Sequence, residues 1–131
     1  MIENGMLDTF KFIDQSSSSI LFTDIFGKNI GKYPSDIKLF SNQEISTRLK
    51  ALLGARYEEV VQNFLVQTPI VLSQGIYKTT GCAAHACPSY FVSMYFDVGK
   101  DNINVIIDQD GAITKYNEKG LISIPEELKN K

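Results

Sequence analysis

Apolar residues recur at helical spacing in the middle third of the chain. One apolar stripe runs over residues 45–53, and Gly54 follows it, where a helix would end in a left-handed conformation. Ser41 and Glu44 have the S-x-x-E spacing of a capping box, so we predict that this helix starts at Ser41. The next segment, ARYEEVVQNFL, keeps the spacing and predicts a second helix. We interpret both stripes as faces that pack against the core.

From Thr68 onward the pattern changes to short runs that are typical of strands. PIVLSQGIYKTTG contains two β-rich runs broken at residues 73–75, and NVIID and AITKY flank QDG, so two hairpins are predicted. The tail IPEELKNK predicts a final helical turn after Pro125. Between the hairpins, SYFVSMYFDV predicts a strand whose alternate residues lie on opposite faces, with Tyr90, Val92, Met94 and Phe96 on one face and Phe91, Ser93 and Tyr95 on the other.

The N-terminal part has a weaker pattern. We expect residues 1–19 to form a loosely ordered segment, because the serine run at 16–19 is linker-like. The following stretch, ILFTDIFGKNIGKYPSDIKLF, predicts a short strand and then a loop. The whole order predicts an α+β fold, with N-terminal helices packed on one face of an antiparallel β-meander of about four to five strands. Residues 1–131 are expected to form a single domain.

Composition and charge narrow the class of protein. Hydrophobic residues make up 44% of the chain and charged residues 21%, and the formal net charge is −2. The chain has no basic stripe for a phosphate backbone and no apolar run of roughly 20 residues, so we expect neither a nucleic-acid partner nor a membrane span. The N-terminus lacks the pattern of a secretory signal. We therefore expect a periplasmic or secreted protein if a signal has been removed, and a cytoplasmic protein otherwise.

One short loop, TTGCAAHACPSY, holds both cysteines of the chain, Cys82 and Cys87, and its only histidine, His85. A disulfide between these cysteines is sterically reasonable, and so short a ring would gain about 2 kcal/mol in the chain-entropy estimate. That gain is modest, so a bridge would mainly fix the shape of the loop. Three short side chains surround the histidine and leave it without a nearby competitor: Ala83, Ala84 and Ala86.

The C-x-x-H-x-C spacing, after a strand pair and before an aromatic β-rich run, resembles the inhibitor of vertebrate lysozyme (Ivy) family over residues 68–97. The resemblance implies a Cys82–Cys87 disulfide and a loop that protrudes from an antiparallel sheet to plug the lysozyme cleft. It also implies that His85 reaches the carboxylates of the enzyme. An imidazole can carry a proton near neutral pH and donate charge-assisted hydrogen bonds to them. Family loops carry Lys-Pro before the histidine and Asp after it, where this chain has alanines.

Other interpretations of the same residues stay open. The first alternative is a structural or interaction domain of the bacterial envelope, in which the Cys82–Cys87 hairpin is only a staple and no lysozyme is inhibited. A zinc site would need four protein ligands, and the chain offers two thiols and one imidazole. A Cys–His catalytic pair would lose its nucleophile to a disulfide. DQDG at residues 108–111 lacks the later ligands of a calcium loop, so we interpret it as a turn.

The aromatic residues of the strand at 90–97 suggest a further surface. If one face of the sheet is open, some of them would form a dimer or partner surface, whereas helices or the N-terminal segment would otherwise cover them. Taken together, the sequence predicts a binding protein rather than an enzyme, without metal or cofactor. Its expected partner is a lysozyme-like glycosidase, a homodimer is a further expectation, and the expected contact residues are Cys82, Ala83, Ala84, His85, Ala86 and Cys87.

Overall fold

The computed structural model describes residues 22–87 and 89–129, and it confirms the α+β fold. A helical segment at residues 22–26 precedes two helices, six strands and a short C-terminal helix. The residues 1–19 that were expected to be loosely ordered lie outside the described residues. The elements are α1 (Gln43–Leu53), α2 (Tyr57–Asn63), β1 (Val66–Gln67), β2 (Val71–Ser73), β3 (Ile76–Cys82), β4 (Tyr90–Asp97), β5 (Asn102–Gln109), β6 (Ala112–Asn117) and α3 (Glu126–Lys129).

The short strand predicted in the stretch that begins at Ile20 is wrong where the structure describes it, because residues 22–26 are helical. Phe22 and Phe26 lie one helical turn apart, and both are fully buried. Their ring centroids lie 5.5 and 4.6 Å from that of Phe96 on β4. The helical backbone places the two rings one turn apart on the same side, so both pack against the same residue of β4. The loop predicted after it is present as a series of turns.

The predicted capping box at Ser41 is also wrong. Ser41 ends a short 3-10 turn, and Asn42 is the N-cap of α1, with its side-chain oxygen accepting a 3.0 Å hydrogen bond from the backbone N–H of Ile45. Asn42 has the extended backbone of an N-cap, and asparagine caps as well as serine does. At the other end, Gly54 is the C-cap with a φ of 59°, so the predicted end of the helix is confirmed.

The strands form one antiparallel sheet in the order β1-β3-β4-β5-β6, and β2 also pairs with β3. Both predicted hairpins are confirmed. Gln74 and Gly75 connect β2 to β3, and Asp110 and Gly111 connect β5 to β6; all four have positive φ, as two-residue hairpin turns require. The sheet has six strands, one more than the upper number predicted. The sequence did not indicate β1, because its two residues form a strand only by pairing with β3 and carry no periodic pattern.

The helices cover one face of the sheet and enclose the main core. Helices α1 and α2 contribute their predicted apolar stripes, and the sheet contributes Tyr77 of β3 and alternate residues of β4 and β5. The predicted division of β4 is confirmed, since Tyr90, Val92, Met94 and Phe96 all lie in this core. Tyr95 instead lies in a second cluster on the opposite face.

The C-terminal segment, which includes α3, covers Tyr95 on that opposite face. Ile122 and Leu128 pack beside it and bury it to 6% exposure. Two buried side chains, Asn102 and Asn104, hold the segment in place by hydrogen bonds to the backbone of residues 119–122. Most of the aromatic surface considered for a dimer is therefore internal. Among residues 22–87 and 89–129, no helix combines the length and apolar character that a bilayer span needs.

Close packing of Phe64 on Gly81 joins α2 to the sheet beside the cysteine loop. A Cβ atom on Gly81 would lie 2.5 Å from the Cγ and Cδ1 atoms of the Phe64 ring. That ring is 2% exposed and makes an edge contact with Phe40, so it has little room to move. The backbone of β3 and this ring therefore approach as closely as they do only because residue 81 has no side chain.

We predict that Gly81→Ala lowers the free energy of unfolding by about 1–3 kcal/mol, because the added methyl overpacks the core. Urea denaturation measures the change. Gly99→Ala is the matched control, since its Cβ would meet only the Oδ1 atom of Asp97 at an ordinary 3.6 Å. Equal stability of the two variants would contradict this account of the packing.

Candidate functional site

The cysteine loop connects β3 to β4 at one end of the sheet. Cys82 is the last residue of β3 and is 3% exposed, and its sulfur is bonded to that of Cys87. The Cα atoms of the two cysteines lie 4.8 Å apart. The disulfide that the family resemblance implied is therefore present, and it closes a ring at the point where the chain reverses direction.

Within the ring, the chain turns so that His85 lies at the exposed tip. The N–H of Ala86 donates a 3.1 Å hydrogen bond to the carbonyl of Ala83, and His85 has a φ of 61° inside this turn. His85 and Ala84 are exposed, whereas Ala83 packs against the main core. In the part of the chain that the structure describes, the imidazole of His85 forms no hydrogen bond or ion pair.

The alanines around His85 differ in what they do. Ala83 is a stem residue, because its side chain contacts the core and its N–H donates to the carbonyl of Tyr90 at 3.1 Å. Ala86 is half-buried and its carbonyl accepts hydrogen bonds from the N–H groups of Ser89 and Tyr90. Ala84 is the one exposed neighbour of His85 within the ring. The structure thus brings together the predicted loop residues, but it presents only two of them, Ala84 and His85, fully to solvent.

Four side chains behind the loop form a cluster that the sequence did not predict. The hydroxyl of Tyr90, the first residue of β4, donates a 2.6 Å hydrogen bond to Glu59 Oε2 on α2. Arg56 Nη2 donates to the same carboxylate oxygen at 2.8 Å and to Gln109 Oε1 on β5 at 2.8 Å. We call Arg56, Glu59, Tyr90 and Gln109 the anchor cluster. Arg56 and Glu59 are three positions apart, but Glu59 is 31 positions from Tyr90 and Arg56 is 53 from Gln109. These distant pairs meet only because α2 lies across the ends of β4 and β5.

The charges in the anchor cluster stabilise one another. The hydrogen bonds from Tyr90 and then Arg56 hold the pKa of the Glu59 carboxyl below its usual range. Burial, followed by the hydrogen bond to the Glu59 carboxylate, raises the pKa of the Tyr90 hydroxyl. Both shifts favour the observed pairing, in which a neutral phenol donates to an ionised carboxylate.

Two further contacts support the loop from its sides. The N–H of Asp110, in the β5–β6 turn, donates a 3.0 Å hydrogen bond to the carbonyl of Ser89. On the other side, the sulfur of Cys82 lies 3.6 Å from the carbonyl oxygen of Val66 on β1. The loop is therefore attached to neighbouring strands on both sides, while its tip remains exposed.

Residues 44–131 match the family described as Inhibitor of vertebrate lysozyme (Ivy). The chain belongs to this family. The match is longer than the residues 68–97 that suggested the resemblance, and it includes all six strands, the cysteine loop and the anchor cluster. Neither the curated proteins nor the solved structures contain a significant match to this chain.

In this Ivy-family chain, the loop is separate from a cleft of about 560 Å³ that lies between β2, β3, the β1–β2 connection and α3. None of the six loop residues lines it. Two pairs of its polar side chains bond to each other, Ser73 to Glu127 and Thr68 to Thr80. The loop and this cleft are therefore different surfaces of the molecule. The cleft is lined by Thr68, Pro69, Val71, Leu72, Ser73, Lys78, Thr80, Glu127 and Leu128.

The disulfide also argues against two of the alternatives considered for the cysteines, a zinc site and a catalytic thiol. Both sulfurs are bonded to each other, so neither is a free thiolate that could bind zinc or attack a substrate. Within the described ranges, no three His, Cys, Asp or Glu side chains group in a way that could hold a metal ion.

We predict that Glu59→Gln destabilises the protein at pH 7 by less than about 1 kcal/mol, because the Glu59 side chain is 40% exposed and its ion pair is screened. The folded pKa of Glu59 lies below its unfolded value, so the ionised carboxylate contributes stability above the unfolded pKa. This contribution disappears as the pH falls through the folded pKa, and the difference between variant and wild type should disappear with it.

Urea denaturation at a series of pH values between 7 and about 3 tests this expectation. Glu58→Gln is the control, because it removes the same charge from an exposed position on α2 without affecting the Tyr90 bond. A stability difference for Glu59→Gln that stays constant across the series would show that the ionised carboxylate is not responsible.

Proposed function

We propose that this protein is a non-enzymatic inhibitor that inserts the tip of the Cys82–Cys87 loop into the acidic cleft of a lysozyme-like glycosidase. The observation that carries the proposal is the exposed imidazole of His85, without a partner among the described residues, at the tip of a covalently closed loop. Membership of the Ivy family supports a role in lysozyme inhibition in general. The loop, and His85 in particular, are the contact that we assign to it.

The chemistry of such clefts suits a single imidazole. Glycosidases of this type place two carboxyl groups across the scissile bond. A protonated imidazole donates from both ring nitrogens and can bond to both carboxyl groups, with charge assistance at each. Because the ring is closed before binding, little conformational freedom remains to be lost in the complex. Ala84 adds little bulk beside His85, so the tip is narrow enough to enter a cleft.

The alanines make His85 the main polar contact of this loop. Family loops carry Lys-Pro before the histidine and Asp after it, and those side chains would share the recognition. Here Ala84 and Ala86 have no polar side-chain group to offer. Binding by this loop would therefore depend on one residue more strongly than in a relative with a charged loop.

The alternative function is a structural or interaction domain in which the disulfide is only a staple. The outward position of His85 and the family membership both favour inhibition over this alternative. We further propose that the protein acts in the periplasm or outside the cell. Disulfides persist in such oxidising compartments and are rare in the cytosol.

We predict that His85→Asn weakens lysozyme inhibition by at least about 30-fold, as expected for loss of a hot-spot residue worth 2 kcal/mol or more. Asparagine is the suitable replacement because His85 has a positive φ, which asparagine tolerates and alanine does not. The inhibition constant is measured against a panel of lysozymes that includes vertebrate enzymes, and urea denaturation should show unchanged stability.

Lys38→Asn is the matched control for this substitution. Lys38 also has a positive φ, at 51°, and it is exposed, but it lies outside the loop. Its variant should inhibit as the wild type does. If His85→Asn inhibits as well as Lys38→Asn, the loop does not recognise the enzyme through its imidazole. If the wild type inhibits no lysozyme in the panel, the proposed function itself is wrong.

We predict that replacing both cysteines by alanine weakens lysozyme inhibition, while the free energy of unfolding falls only modestly and the protein stays folded. The chain-entropy estimate for the six-residue ring limits the stability loss to about 2 kcal/mol, so the domain should stay folded. The open loop would sample many conformations, and affinity would fall with the fraction that can bind. Full inhibition by a folded double variant would show that ring closure is unnecessary.

A further inference from the structure

We propose that the anchor cluster (Arg56, Glu59, Tyr90 and Gln109) sets the direction in which the cysteine loop projects from the sheet. Its members are then positioning residues for inhibition, although none of them lies in the loop. The effect on binding rests on the proposed function above. The effect on loop order does not, and it can be measured on the free protein.

Tyr90 lies at the base of the loop and connects both of its stems. Its backbone carbonyl accepts from Ala83 N–H at 3.1 Å, and its own N–H donates to Ala86 O at 3.2 Å. The backbone of Tyr90 is therefore bonded to the residues on both sides of the exposed tip. Its side chain points the other way, into the main core, and ends at Glu59. A displacement of Tyr90 would be passed to both stems of the loop.

The contacts behind Tyr90 form a closed circuit. Glu59 joins Tyr90 to Arg56, and Arg56, the N-cap residue of α2, bonds to Gln109 on β5. Tyr90 and Gln109 are Cα partners in the β4–β5 pairing. Ser89 precedes Tyr90, and Asp110 follows Gln109. The N–H of Asp110 donates a 3.0 Å hydrogen bond to the carbonyl of Ser89, and this bond completes the circuit. Three elements are thereby connected around the place where the loop leaves the sheet.

The disulfide alone does not hold the direction of the loop. The bridge joins Cys82 to Cys87 and limits the shapes of the ring between them. It does not join the ring to α2 or β5, so it cannot by itself determine how the ring is directed relative to the sheet. The anchor cluster makes those connections, partly through charge-assisted hydrogen bonds, which are about twice as strong as neutral ones. Covalent closure and the anchor cluster thus constrain different degrees of freedom.

Tyr90→Phe is the direct test, because it removes one hydroxyl and leaves the buried ring in the core. We expect hydrogen exchange at the amides of Ala83, Ala86 and Asp110 to become about tenfold faster, as the loss of one charge-assisted bond allows these groups to open locally. Lysozyme inhibition should weaken by a similar factor, about tenfold, because a smaller fraction of loops would be correctly directed.

Tyr77→Phe is the matched control. Tyr77 is another buried tyrosine of the main core, but it lies at the opposite end of β3 and forms no hydrogen bond through its hydroxyl in the described part of the chain. It should change neither the three amide exchange rates nor the inhibition constant. Glu59→Ala provides a second variant at a partly exposed position in case Tyr90→Phe does not fold, and it should reproduce the faster exchange.

The outcomes separate this proposal from the function on which it depends. If all three amides of folded Tyr90→Phe exchange at the wild-type rate, the positioning role is wrong. If Tyr90→Phe does not fold, wild-type exchange rates in Glu59→Ala would lead to the same conclusion. Faster exchange with unchanged inhibition would also overturn the positioning role, because loop direction would then not matter for binding. If the variant exchanges faster but the wild type inhibits no lysozyme, the result supports control of loop order by the anchor cluster and contradicts only the proposed function.

Discussion

The antiparallel pairing of β3 with β4 is the constraint on which the other features depend. Its register places Cys82 opposite Phe91 at one end and Ile76 opposite Asp97 at the other. Because side chains alternate between the two faces, this register also decides which residues of both strands enter the main core. A slip by one residue would reverse every side chain of the slipped strand and would direct Cys82 and the loop stem elsewhere. The core and the loop are therefore specified by the same set of backbone hydrogen bonds.

The loop combines an ordered base with an exposed tip. At the base, Ala83 contacts the core, Tyr90 is bonded to α2, and Ser89 is bonded to the β5–β6 turn. At the tip, His85 is exposed and has no partner among the residues that the structure describes. This arrangement suits a protein that acts by insertion, since the ordering of the loop takes place during folding and need not be repeated on binding.

The two faces of the sheet are covered in different ways, and this affects where a partner can bind. Helices cover the main face, whereas the opposite face is covered at Tyr95 by the C-terminal segment that Asn102 and Asn104 hold. The buried asparagine side chains form their hydrogen bonds with backbone groups of that segment, so they determine where the segment runs across the sheet. With helices on one face and the C-terminal segment on part of the other, the function proposed above uses the end of the sheet, where the cysteine loop lies.

The sequence by itself determined the class of fold, the hairpins and the loop. Each of these depends on signals between near neighbours: helical spacing in α1 and α2, two-residue turns with glycine, and the C-x-x-H-x-C spacing of residues 82–87. It failed where two local signals competed, as at Ser41 and Asn42, and where a short aromatic segment, residues 22–26, was interpreted as a strand.

Only the tertiary structure decided how the loop is supported and what covers the second face of the sheet. The contact between Tyr90 and Glu59 joins residues 31 positions apart, and Arg56 and Gln109 are 53 apart. No periodicity or motif connects such pairs, because their meeting depends on how α2 packs across the strand ends. Phe64 could likewise be assigned to a core from its spacing. The sequence could not show that its ring packs where a side chain on residue 81 would lie, because this contact forms only when helix and strand come together.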